Sequence, residues 1–259
     1  MNFKNSLKSL AGRLVRLLGI VAVLYVSMVF YLALTERRNA YPRAIAHKEA
    51  REFIAGKAEP LTCSLEDGTT LEGWKLGASD TPTLLYYPDA DEDAAQFLAE
   101  ANTIEGITLV TFNYRGSGNN KGTPSAETFS ADARGIAECA AQANGSRPEF
   151  FSGRGTGAIL AANNADKGGK IILIDPVWSI ADALTFKYRK LYPKLIIRAK
   201  ESMDYDKMAK TIDQVRIMLD RMQFESRSQK VLGNLPGATV QKRGGASFRD
   251  AFQEIVNGL

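Results

Sequence analysis

The sequence predicts an α/β fold: a mostly parallel central sheet with helices on both faces, preceded by one N-terminal apolar helix. Three observations carry this. From residue 61 to residue 258, short apolar runs of strand length alternate with helix-length runs, the pattern of a sheet covered on both sides. Residues 17–34 form a stretch of 18 residues without a charge. Residues 149–158 read Glu-Phe-Phe-Ser-Gly-Arg-Gly-Thr-Gly-Ala. An apolar pair, three glycines at alternate positions and an Ala-rich run in succession write a strand, a tight turn and a helix.

The N-terminal end divides into three. Residues 1–16 are a basic leader with Lys4, Lys8, Arg13 and Arg16. The uncharged run that follows nearly spans a hydrocarbon core of about 30 Å at about 1.5 Å per residue. A secretory signal has a shorter apolar part and a small-residue cleavage site. Ala33-Leu34-Thr35 is a poor site of that kind, so residues 17–35 read as an uncleaved transmembrane anchor. Arg37, Arg38 and Arg43 nearly balance the leader under the positive-inside rule. The leader tips the reading towards a cytoplasmic N-terminus and an extracytoplasmic domain. Residues 36–60, charged and closed by Pro60, read as a stalk, with His47 solvated on it.

The domain, residues 61–259, is taken in order. Runs at 61–64 and 71–76 flank Asp67-Gly68, a hairpin signal. Residues 83–87 are a short strand and 94–102 a helix. Residues 107–114 are a strand, and 126–144 an amphipathic helix opened by Thr123-Pro124-Ser125. Residues 149–152 are a strand, 158–166 a helix, and 170–174 a strand that stops at Asp175-Pro176. Residues 181–198 read as a basic, aromatic helix with Lys187, Arg189, Lys190, Lys194 and Arg198. An ordinary solvated face over a buried apolar stripe is the favoured reading, and contact with an anionic membrane surface the alternative. Residues 215–219 are a strand, 226–234 a helix, 239–242 a last strand, and 248–258 a closing helix.

Composition narrows the chemistry. The net charge of +4 is uneven: residues 1–60 hold 10 Lys+Arg against 4 Asp+Glu, and the remainder 23 against 25. The basic character belongs to the membrane flanks, so no nucleic-acid partner is expected. Cys63 and Cys139 make neither a disulfide framework nor a metal site; two buried thiols are the favoured reading and a single bridge the alternative. No metal and no cofactor is expected. The turn Gly-x-Gly-x-Gly lacks the spacing of a dinucleotide fingerprint. The chain has one histidine, His47, in the stalk.

The motifs then point to a family. Asn113-Tyr114-Arg115-Gly116-Ser117-Gly118, followed by Gly122 and Pro124-Ser125, resembles the Asp-Tyr-Arg-Gly-x-Gly loop of the α/β-hydrolase superfamily. The closest resemblance is to its single-pass, membrane-anchored serine hydrolases of the prolyl-oligopeptidase-like branch. Ala131-Asp132-Ala133-Arg134 is similar to that family's next helix, and Gly153-Arg154-x-x-Gly157 to its nucleophile elbow. The resemblance implies an α/β-hydrolase fold and a serine, histidine and carboxylate triad. Carried over position by position, the three roles fall on Gly155, Ser247 and Gln223. The oxyanion loop reads Pro88-Asp89-Ala90-Asp91-Glu92-Asp93, where acids oppose a developing negative charge. Most of these acids read as favourable to the dipole of the following helix.

The sequence therefore reads as a membrane-anchored, catalytically inactive member with a binding or regulatory role. The alternative is an ester or lipid hydrolase with a relocated site, with Thr156 and Asp175 as displaced candidates. Ser152 reads as a satisfied core hydroxyl, Thr156 as a helix cap, Asp175 as a cap in an Asp-Pro turn, and Lys242 as surface charge rather than a base for Ser247. Asp89, Arg154 and Thr156 are the expected cleft residues. The expected partners are the membrane and a protein, lipid or small-molecule ligand.

Overall fold

The structure is a computed structural model that describes residues 3–78, 80–165, 168–189 and 191–259, with side chains from residue 10 onward. Lys190, Asp166 and the side chains of Lys4 and Lys8 lie outside the described residues. Helix α1 (Phe3–Leu34) contains a 25-residue stretch, Leu10–Leu34, long and apolar enough to cross a membrane, with mean hydropathy 2.5. Two short helices follow, α2 (Glu36–Ala40) and α3 (Lys48–Ile54).

Among the described residues the body is built on one eight-stranded sheet. Strands β1 (Glu59–Ser64) and β2 (Thr70–Leu76) form the expected hairpin. Then come β3 (Thr83–Tyr87), α4 (Ala94–Glu100), β4 (Thr108–Phe112), α5 (Ala126–Asn144), β5 (Phe150–Arg154), α6 (Gly157–Asn164) and β6 (Lys170–Ile174). Helices α7 (Ile180–Lys187) and α8 (Tyr205–Lys210) precede β7 (Val215–Leu219), α9 (Glu225–Asn234), β8 (Thr239–Lys242) and α10 (Phe248–Asn257). The strand order is β1-β2-β4-β3-β5-β6-β7-β8. Strand β2 pairs antiparallel with β1 and β4, and all other pairs are parallel.

Alternating side chains fill two cores. Leu85 and Tyr87 of β3 face the layer with α5 and α6, while Leu84 and Tyr86 face the layer with α3, α4 and α10. Every residue of β3, β4 and β5 is buried, which places their C-terminal ends, where the motifs lie, at the centre of the sheet edge.

Three expectations need correction. Residues 36–60 are not a detached stalk. Glu36 is 6% exposed: its Oε1 accepts from the backbone N–H groups of Arg198 (2.7 Å) and Ala199 (2.8 Å), and its Oε2 from the Tyr192 hydroxyl (2.7 Å). Further along, Ala44 donates to Ser117 Oγ at 3.1 Å and accepts from Gly118 N at 2.8 Å. Arg51 pairs with Asp93 (2.6 Å) and with Glu72. Glu36 and Arg51, which made the segment look solvated, are satisfied by the body. His47 is exposed, as expected, and its Nδ1 caps α3 by accepting from Ala50 N at 3.2 Å.

The cysteines are not free thiols: Cys63 of β1 and Cys139 of α5 form a disulfide across 76 residues. No local pattern announces a pairing between a strand and a helix that remote in sequence. The basic stretch at 181–198 is not one helix. It ends at Lys187, Arg189 adopts φ 51°, and a 3-10 turn at Lys194–Ile196 follows Pro193.

The disulfide ties the edge hairpin to the body. The Cys139→Ser variant is expected to lose about 2–4 kcal/mol. Urea unfolding followed by circular dichroism checks this, and reduced wild-type protein should unfold at the variant's midpoint.

Candidate active site

The turn after β5 keeps the geometry of an elbow. Gly155 sits at φ +55°, a left-handed conformation that glycine adopts without penalty. A Cβ at Gly153 would stand 2.3 Å from the carbonyl oxygen of Gly157, and one at Gly157 2.1 Å from that of Tyr87. The alternate glycines thus let β5, the turn and the end of β3 pack backbone to backbone.

The space above Gly155 is filled by Asp89. A Cβ at Gly155 would lie 2.0 Å from Asp89 Oδ2 and 2.3 Å from Oδ1. Asp89 Oδ1 accepts from three donors: Thr156 N (2.9 Å), Thr156 Oγ1 (2.9 Å) and Ala90 N (2.8 Å). In a hydrolase elbow, the N–H after the nucleophile and an N–H from the loop after β3 bind the oxyanion. Those are the positions of Thr156 N and Ala90 N, and both serve the chain's own carboxylate. Arg227 of α9 closes the other side, donating from Nη2 to Asp89 Oδ2 (3.1 Å) and from Nε to the Asp175 carbonyl (3.1 Å). Burial alone would raise the Asp89 pKa. The Arg227 charge and the Thr156 and Ala90 donors outweigh it and hold the carboxyl below its ordinary value.

A second ionic layer lies beneath. Glu92 Oε2 accepts from Asp89 N (2.9 Å) and the Tyr86 hydroxyl (2.8 Å), and its Oε1 from Arg154 Nη1 (2.6 Å). Arg154, 3% exposed, also donates from Nη2 to Glu100 (2.7 Å) and lies 3.6 Å from Asp220. Asp220 in turn meets Arg243 at 2.9 Å. Asp93 caps α4 and takes Arg51, His47 N and Asn113. Asp89, Glu92 and Asp93 of the acidic run therefore answer named arginines, and Asp93 plays the expected role at a helix N-terminus.

The other expected residues fall as follows. Gln223 is exposed after β7, and Ser247 is exposed and caps α10, accepting from Asp250 N at 3.1 Å. Lys242 pairs with Glu225 at 2.7 Å and not with Ser247. Thr156 holds the N-cap position of α6 as expected, but its hydroxyl makes no cap bond and goes to Asp89 instead. Asp175 (φ 42°) turns towards the end of β7, where its Oδ1 accepts from Asp220 N at 2.9 Å; burial raises its pKa. Ser152 Oγ is buried without a hydrogen-bond partner rather than satisfied. Arg154 lies under the site and does not line the cleft. Arg227 was not foreseen: a single arginine on a polar helix carries no local signal.

A cleft of about 590 Å³ opens above Asp89 and Thr156. Ile180, Leu184, Phe186 and Phe224 make its apolar walls, and Arg38, Arg43 and Lys187 stand at its rim. Those three cations are exposed and, among the described residues, form no ion pair.

No family model matches the chain. By sequence it is similar to the uncharacterized proteins Rv2307c and MT2364 of Mycobacterium tuberculosis, each 25% identical over 185 residues, 68% of this chain and 66% of the relative. The match therefore spans just under two thirds of those relatives' length. By structure it is similar to an alpha-beta hydrolase from Vibrio vulnificus (TM-score 0.63, 17% identity, covering 84% of this chain and 97% of the other). It is also similar to the esterase Pf2001 of Pyrococcus furiosus (0.58, 11%, 84% and 96%). An a/b serine hydrolase without lid from Xanthomonas campestris follows (0.53, 18%, 78% and 94%). The chain has the fold of the α/β-hydrolase superfamily.

Two outcomes are expected. Gly155→Ser should cost about 2–4 kcal/mol, from overpacking and the left-handed backbone. Combining it with Asp89→Ala should recover about 1 kcal/mol or more in a double-mutant cycle of urea unfolding. Because the folded pKa of Asp89 is lowered, its charge stabilises the fold above the ordinary carboxylate pKa of about 3.9 and ceases to do so as pH falls through the folded value. The stability gap between wild type and Asp89→Asn should thus be widest near neutrality and shrink in acid.

Proposed function

We propose that this chain is a membrane-anchored binding protein that keeps the hydrolase architecture without its ester-cleaving chemistry. The carrying observation is Asp89, whose carboxylate takes the two N–H donors that an acyl-transfer intermediate needs. An oxyanion arriving there would face a resident anion instead of donors. Gly155 offers no nucleophile, and the chain's one histidine caps α3 at the surface. The prolyl-oligopeptidase-like resemblance supports the anchored architecture, with α1 as the anchor. The Cys63–Cys139 disulfide supports an extracytoplasmic body, since disulfides persist in oxidising compartments.

The cleft suits an anionic amphiphile of the fatty-acid or phospholipid class. Its apolar walls take a chain, and Arg38, Arg43 and Lys187 take the charged head at a rim four residues past the end of α1. A protein ligand is the competing occupant. A relocated hydrolase draws on the hydrogen bond from Thr156 Oγ1 to Asp89. The lowered pKa of Asp89 makes it a weak base, which weighs against that reading.

Incubation with a fluorophosphonate probe and p-nitrophenyl esters is expected to give no adduct and no turnover. Turnover abolished by Thr156→Ala would sink the proposal. A fluorescent anionic fatty acid is expected to bind, and Arg43→Gln to weaken it about tenfold, one lost charge contact at ~1.4 kcal/mol. Equal binding by the variant would remove the amphiphile from the reading.

A further inference from the structure

The segment after α7 carries an exposed apolar surface. Leu195 is 96% exposed, Leu191 52% and Ile196 41%. Their neighbours behave oppositely: Tyr192 is 1% exposed and Ile197 2%. The loop is therefore anchored by two core residues while three large apolar side chains point outward. This is not a loosely packed turn. The Glu36 carboxylate holds it through the Tyr192 hydroxyl and the N–H groups of Arg198 and Ala199.

Glu36 is two residues beyond the last residue of α1, and this fixes where the loop stands. The end of α1 packs on the same core, with Leu32 6% exposed and Met28 and Val29 partly buried against it. Three exposed leucine and isoleucine side chains thus sit beside the point where the apolar helix meets the body. The charge pattern is of one sign. Lys187, Arg189, Lys194, Arg198 and Lys200 are exposed, no acidic residue lies between Asp182 and Glu201, and among the described residues of this stretch only Lys194 forms an ion pair, with Asp182.

We infer that the loop of residues 191–198 is a second membrane contact, which seats Leu191, Leu195 and Ile196 in the headgroup–acyl boundary of an anionic leaflet beside α1. Apolar side chains flanked by lysine and arginine are the composition that holds at this depth: the apolar groups leave water while the cations reach lipid phosphates. The inference rests on α1 being a membrane anchor. It adds that the body lies on the bilayer in one orientation, with the basic rim of the cleft on the lipid side.

The test uses the whole chain in vesicles. Cys63 and Cys139 are joined, so an introduced cysteine takes the label alone. Leu195→Cys, Val23→Cys in α1 and Val240→Cys on β8, 44% exposed, are each labelled with an environment-sensitive NBD fluorophore. The vesicles are phosphatidylcholine, with or without phosphatidylglycerol, and carry nitroxide quenchers at shallow or deep positions. The Leu195 probe is expected to shift to the blue and to be quenched by shallow nitroxides, more so with phosphatidylglycerol. The Val23 probe should respond to deep nitroxides, and the Val240 probe should stay at its aqueous emission. An aqueous Leu195 signal beside a quenched Val23 overturns the inference and leaves the anchor standing. An unquenched Val23 overturns the anchor itself. A blue-shifted but unquenched Leu195 means that protein covers the loop, a second copy or a partner, and also overturns the inference.

Discussion

The volume above Gly155 admits one tenant. A serine side chain and the Asp89 carboxylate cannot share a space in which a Cβ would already stand 2.0 Å from an oxygen. The rest of the site follows from that exclusion. A buried carboxylate needs donors and a counter-charge, and the elbow supplies the first through its N–H groups and α9 the second through Arg227. The backbone of Asp89 then fixes Glu92, Glu92 fixes Arg154, and Arg154 gathers Glu100 and Asp220. Removing any one member strands a charge in a medium that cannot solvate it, so the layer behaves as a unit.

Much of the fold was legible because its strands are short and bounded by turn residues, and the central ones are buried. Residues 170–174, 215–219 and 239–242 form strands where the apolar runs placed them, and 126–144 forms the amphipathic helix. The elbow was legible as a backbone shape, since glycines at alternate positions encode close approach. What the elbow holds was not. Asp89 announced an acid in the wrong place for catalysis, but its partner Arg227 is 138 residues away, and a single sequence does not pair them. The disulfide and the docking of residues 36–54 were missed for the same reason. Each is a long-range match between groups that look ordinary alone. Composition also misled at Glu36, where a charge next to an apolar helix reads as solvent-facing yet is buried on three donors.

The cleft and the loop after α7 share an orientation. Both are basic, both carry apolar side chains, and both lie next to the end of α1. An elbow occupied by a carboxylate and an open cleft are compatible, because capture of an amphiphile needs apolar walls and a charged rim but no nucleophile.

The docking of the segment after α1 also sets an order of assembly. Glu36 is completed by donors 156 to 163 residues further along the chain, and Ala44 by Ser117 and Gly118. During synthesis the apolar helix emerges long before the groups that hold its exit. Contacts so distant in sequence close late, because the loop entropy between them is spent first. The nascent chain therefore passes through a stage in which the helix is made and its junction is still loose. Only when the second half of the sheet has formed does the body lock to the end of the apolar helix.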